Sequence, residues 1–124
     1  MYYIGKIDKN IFEKEFGKIQ TEDVVLTDER KQHIRERHSN DYDLFQEHHK
    51  EILESPDIVL KDLKNDNTVF MIKHIEGTNM NVVIKLSIYE DEKHPKNSIM
   101  TAYRMRDKNV KKLERNNKML YKRE

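Results

Sequence analysis

Cysteine and tryptophan are absent from this 124-residue chain, and only three glycines and two prolines interrupt it. Without cysteine there is neither a disulfide framework nor a thiolate metal site. So little Gly and Pro leaves scant material for linkers, and the length suits one domain over residues 1–124. No apolar run approaches a membrane span and no secretory leader stands at the start, so a cytoplasmic chain without membrane contact is expected. Also missing are HExxH, a Walker loop, GxGxxG and GxSxG, which argues against zinc-hydrolase, nucleotide-binding and serine-hydrolase chemistry.

Charge is what the chain has in quantity. Charged residues make up 38% of it, hydrophobic ones 35%, and the net charge is only +1. That balance hides an asymmetry. From Arg104 to Glu124 there are nine Lys or Arg against three acids, a net of +6, which leaves about −5 for the rest. Such a tail reads either as a nucleic-acid contact, with Arg104, Lys111, Lys112 and Arg115 on phosphates, or as the solvated face of an amphipathic helix.

Tyr2 to Ile7 alternates weakly, as a short strand or an applied coil; a helical turn follows at Asn10 to Phe16 and ends at Gly17. Asp23 to Leu26 has a strand-like run, and Thr27 is a suitable N-cap for a helix to His38, with Asp28 and Glu29 at the positive end of its dipole. Ser39, Asn40 and Asp41 read as a break before a second helix at Tyr42 to Glu54, which Ser55-Pro56 stops. Its His48 and His49 read as part of the helix-to-sheet packing. The period then shortens to two, giving strands at Ile58 to Leu63, Thr68 to Ile75, Asn81 to Tyr89 and Ser98 to Met105. Turns are read at Asn65 to Asn67 and Gly77 to Asn79, with a longer polar connection at Asp91 to Asn97. The expected fold is α+β, with N-terminal helices on a four-stranded antiparallel sheet and a short basic C-terminal helix carrying Val110, Leu113 and Leu120 on one side. Val82, Ile84, Leu86, Ile88, Met100 and Ala102 would share the apolar face, and Lys85, Thr101 and Tyr103 the polar one.

The helix from Thr27 to His38 is odd. At roughly 100° per residue, His33, Arg37, Arg30, Ile34 and His38 fall along one stripe with Ile34 its only apolar member. Cationic and titratable side chains are costly to bury, so this stripe suggests an anion-facing surface, and phosphate is the natural anion. Combined with Lys85, Thr101 and Tyr103, and with Arg104 on the alternate strand face, it makes a site free of carboxylates. Magnesium-dependent nucleases need Asp or Glu to hold the ion; His, Lys, Arg, Thr and Tyr suit phosphodiester cleavage without metal or cofactor. In RNA the 2′-hydroxyl can attack its own phosphate, given a base, an acid for the leaving 5′-oxygen and cations for the developing charge.

The run VVLTDERKQHIRERH, a helix ending at Ser-Pro-Asp, and the strands NVVIKLSIY and SIMTAYRM resemble the phage-associated nucleases of the barnase, EndoU, colicin D and RelE superfamily. The resemblance spans Val24 to Arg106, a nuclease-like core followed by a basic tail from residue 107. It implies a metal-independent endoribonuclease of toxin-like, phage or mobile-element character, with RNA as substrate and an immunity or antitoxin protein as partner. It carries the helical motif onto His33, Ile34, Arg37 and His38, the basic strand residue onto Lys85, and the last-strand hydroxyls onto Thr101 and Tyr103. The short chain fits a stand-alone protein better than the tip of a secreted toxin. Either histidine can serve as base. The alternatives are a non-catalytic RNA- or protein-binding module of phage origin, or a structural phage component.

Overall fold

The computed structural model describes residues 1–89 and 95–124. The order of elements is β1 (Tyr2–Lys6), α1 (Lys9–Phe16), β2 (Asp23–Leu26), α2 (Asp28–Arg37), α3 (Ser39–Glu54), β3 (Ile58–Lys61), β4 (Thr68–Ile75), β5 (Thr78–Lys85), β6 (Asn97–Met105), α4 (Asp107–Asn116) and β7 (Lys118–Lys122). The strands form one sheet in the order β1-β2-β6-β5-β4-β3-β7. Every neighbouring pair is antiparallel except β2 with β6, which is parallel at Val24↔Asn97 and Val25↔Ser98.

One face of this sheet is dry. Val59, Val69, Met71, Met80, Val82, Ile84, Ile99 and Ala102 project onto it and are almost fully buried under Phe12 of α1, Ile34 of α2, and Phe45, Ile52 and Leu53 of α3. Two polar residues that enter this region are held by hydrogen bonds. Lys73 reaches the end of α3, where its ammonium donates to the Ser55 carbonyl at 2.6 Å, a site the helix dipole favours for a cation. Asn97 spans the parallel junction, its Nδ2 donating to the Thr21 and Asp23 carbonyls at 2.7 and 3.0 Å while its Oδ1 accepts from the Ser87 N–H. A two-residue parallel pairing is weak by itself, and this side chain supplies the bonds that a longer ladder would.

The other face carries a smaller apolar cluster of Leu60, Phe70, Ile72 and Val83, roofed by Val110 and Leu113 of α4. Toward β5 and β6 it stays open, and its residues turn polar: Asn81, Lys85, Ser98, Thr101 and Tyr103.

Several expectations need correction. The sheet has seven strands, not four, and it is mixed, not antiparallel throughout. The C-terminal helix α4 follows β6 and packs on the face opposite α3, so the N-terminal helices cover only one side of the sheet. The tail is helical only to Asn116; Lys118–Lys122 is a strand on β3, and Leu120 packs with the dry-face core, not beside Val110. The helix break is one residue, His38, because Ser39 to Asp41 form the first turn of α3 instead of a loop. The β4–β5 turn is the two-residue Glu76-Gly77, both with positive φ (49° and 80°), so β5 begins at Thr78 and ends at Lys85. Met100 has no partner on β5, since Ile99 pairs with Ile84 and Thr101 with Val83; this bulge sends Met100 to the open face and gives Ile99 its place in the core. The polar connection expected around Asp91 to Asn97 lies largely outside the described residues.

Candidate functional site

The bond pattern that ends β2 builds the site. After pairing with the start of β6, the chain leaves the sheet at Leu26, is capped at Thr27, whose Oγ1 accepts from the Arg30 N–H at 3.2 Å, and continues as α2 beside β6. Helix and strand run the same way, so the first turn of α2 lies by Ser98 and its last residues by Tyr103. Ile34 anchors the helix in the dry core, which leaves Arg30, His33 and His38 half-buried along the open face.

His38 occupies the joint between α2 and α3, with non-helical φ −132° and ψ 48°. Its ring lies 5.3 Å from that of Tyr103 and 6.4 Å from that of His33. Tyr103 is held in turn by fully buried Asn81, whose Nδ2 donates to the phenolic oxygen at 3.3 Å. The joint is clamped by Asp41: one carboxylate oxygen accepts the Arg104 N–H at 3.1 Å and the other lies 3.2 Å from the Arg104 Nε. The Arg104 guanidinium also donates to the Asn40 carbonyl, so this cation belongs to the α3 attachment.

Lys85 stands opposite Ser98 on the same face. It lines a hollow of about 240 Å³ with Arg30, Thr27, Glu29, Lys96 and Met100. The six residues read from the sequence as catalytic therefore do not converge at one point. His33, His38 and Tyr103 form one group and Lys85 with Arg30 another, separated along the strands by four positions, roughly 13 Å. Thr101 lies between them as the diagonal neighbour of Lys85, within reach of a long side chain. Its Oγ1 is buried with no hydrogen-bond partner, as is Oδ1 of Asn81. Arg37 is exposed, and its side chain makes no ion pair or hydrogen bond among the described residues. Of the α4 cations read from the sequence as phosphate contacts, Lys112 lines the open face, while Lys111 and Arg115 are exposed and line no hollow among those described.

Residues that the sequence did not single out contribute as well. Asn81 and Ser98 were legible only as strand positions opposite Tyr103 and Lys85, and Met100 reaches the groove only through the bulge. Glu29 brings a carboxylate to the rim of a site expected to have none. The other histidine pair is elsewhere: His49 packs edge-on against Phe45 at 5.4 Å, and burial pushes its imidazole below the ordinary value. His48 Nε2 lies 3.1 Å from Glu76 and 3.9 Å from Glu47, and these three are the residues placed to hold a metal ion among the described residues, away from the groove on α3 and the β4–β5 turn.

The profile of the phage MuF C-terminal domain matches residues 29–124. The chain belongs to that family. The protein is thus phage-associated, and α2 from its first turn, α3, β3 to β7 and α4 are all inside the matched MuF C-terminal region, together with every groove residue named above except Thr27. No curated protein and no solved structure matches the chain. No helix among the described residues is long and apolar enough to cross a membrane.

Proposed function

We propose that this MuF C-terminal domain is a metal-independent endoribonuclease, toxin-like in use, that cleaves RNA in the cytoplasm by attack of the 2′-hydroxyl on the adjacent phosphate. The observation that carries the reading is the open sheet face itself. Two imidazoles and a phenol stand at one end, two cations without acidic partners at the other, and a hydroxyl with no hydrogen-bond partner between them. The resemblance of the HIRERH segment to the barnase, EndoU, colicin D and RelE nucleases supports the same chemistry.

We read the roles from the split into two groups. The scissile phosphate sits over Thr101, whose hydroxyl, covered in the free protein, donates to a non-bridging oxygen once the side chains over it part. His38 or His33 takes the 2′-proton, and the other histidine or Tyr103 returns one to the leaving 5′-oxygen. Lys85, reaching diagonally to the same phosphate, offsets the charge that grows in the transition state. Arg30 holds the next phosphate and Arg37 closes the exposed side. The products are a 2′,3′-cyclic phosphate and a free 5′-hydroxyl.

Incubation with single-stranded RNA in EDTA, followed by end-group analysis, tests this. Cyclic phosphate ends that disappear in His38→Ala and Lys85→Ala are expected. A requirement for added magnesium, or RNA that stays bound and intact, would refute the mechanism; the second result would select a non-catalytic binding module instead. Toxicity on expression, relieved by a co-expressed inhibitor from the same phage, is the matching result in cells.

A further inference from the structure

The open face extends well beyond the catalytic groups. The hollow at α2 shares Lys85 and Met100 with a second of about 730 Å³ over β4 and β5, and this shares Phe70, Lys64 and Asp62 with a third of about 610 Å³ against α4. The three form one trough across the sheet, from Arg30 to Asn116.

Its chemistry changes along the way. The α2 end offers cations and hydroxyls, which suit phosphate. At the α4 end the floor is apolar, made by Phe70, Met105 and Leu113, and the amides of Asn109 and Asn116 on the rim have no partner among the described residues. Lys64 and Lys112 flank this hollow, and neither ammonium has an acidic partner there. The wall is fixed at both ends. Asp107 accepts from the Asn79 amide at 2.7 Å; Asn117 accepts from the Leu63 N–H at 3.1 Å and donates to the Leu113 carbonyl at 3.0 Å. A site built in advance loses little ordering entropy when it is filled.

A flat heteroaromatic ring needs this combination: apolar surface for its faces, groups that both donate and accept for its edge, and cations nearby for the phosphates on either side. We propose that the hollow between β4 and α4 is a nucleobase subsite for single-stranded RNA, remote from the bond that is cut. Its role in cleavage rests on the ribonuclease reading; its capacity to bind does not. It makes the enzyme selective for a base some nucleotides away from the scissile phosphate and gives the basic α4 a definite task through Lys112.

Short fluorescein-labelled 2′-O-methyl oligoribonucleotides, which lack the attacking hydroxyl, test this by anisotropy with the full chain. Wild type should rank four homopolymers by affinity. Asn109→Ala with Asn116→Ala, both exposed positions, should weaken the best by roughly tenfold and flatten the ranking. Lys112→Glu should weaken all four alike and reduce the salt dependence. Equal affinities in wild type, no binding, or an unchanged ranking in the folded double-asparagine variant would overturn the subsite. Bound and ranked oligomers with RNA left uncut would remove the ribonuclease reading and keep the subsite; efficient cleavage that ignores both asparagines would do the reverse.

Discussion

The two faces of one sheet were put to opposite uses. On the side under α1 and α3 the strand residues are apolar and sealed, Lys73 and Asn97 are each held by hydrogen bonds, and His49 of α3 buries Nδ1 without a partner beside Phe45. On the side between α2 and α4 the strands present Asn81, Lys85 and Thr101, two of which bury an oxygen without a partner. An unpaired buried acceptor costs about 1–3 kcal/mol. The chain tolerates that cost because the sealed face supplies the apolar burial. Stability and chemistry can therefore be separated by mutation, one face at a time.

The largest effect should come from His38→Ala, which we expect to lower the cleavage rate about 10²- to 10⁴-fold while the urea midpoint stays near wild type. A midpoint that falls with the rate would mean that the ring is structural. Met71→Ala is the converse test on the sealed face, where the side chain is fully buried. It should cost about 2–5 kcal/mol in urea unfolding, with normal cleavage per folded molecule at low temperature. Asp41→Ala bears on both faces, because it frees the Arg104 N–H and loosens the joint at His38. A loss of about 1–2 kcal/mol with a lower kcat is expected, with both partly restored by Asp41→Asn; unaltered kcat would show that the clamp does not position the ring.

The smallest effect concerns pH. His49 sits against Phe45 with its value lowered by burial, so the folded state favours the neutral ring. As pH falls below the ordinary histidine value of about 6.5 the unfolded chain gains a proton first, and stability present above that point declines down through the folded value. His49→Leu should flatten the dependence of Tm on pH between about 7 and 5. An unchanged slope would assign the acid sensitivity to another group. Glu15 is not that group, for its bonds to Lys118 and Lys61 hold its carboxyl below the usual range, and their contribution fades only at lower pH.

What could be read from the residues was what local physics controls. The Thr27 cap, α2, the span of β4 and the apolar set Val82, Ile84 and Leu86 all stand where period and capping place them. The three strands outside the expected sheet join it through partners far along the chain, so the strand-like runs at Tyr2 and Asp23 gave no sign of their neighbours. KMLYK after α4 is as good a continuation of an amphipathic helix as it is a strand, and only the free edge of β3 decides. The parallel junction depends on one asparagine that grips three backbone groups, which no periodicity reveals. For the site, the residue types and their common face were legible: Lys85, Thr101 and Tyr103 do lie on one side of neighbouring strands. Their spacing was not, because it depends on the register of β5 with β6 and on the bulge at Met100.

A single residue joins α2 to α3, and such a coupling has no slack. If α3 rolls on the hydrocarbon beneath it, no loop absorbs the rotation and the imidazole of His38 swings with it. The rigidity of the interior is thereby lent to the surface. Substitutions that turn α3 as a body would then disturb the alignment of His33, His38 and Tyr103 before they unfold the molecule, while a cavity that leaves its axis in place would not, so the tolerance of this protein to drift in its interior is set by angles at one joint more than by its reserve of free energy.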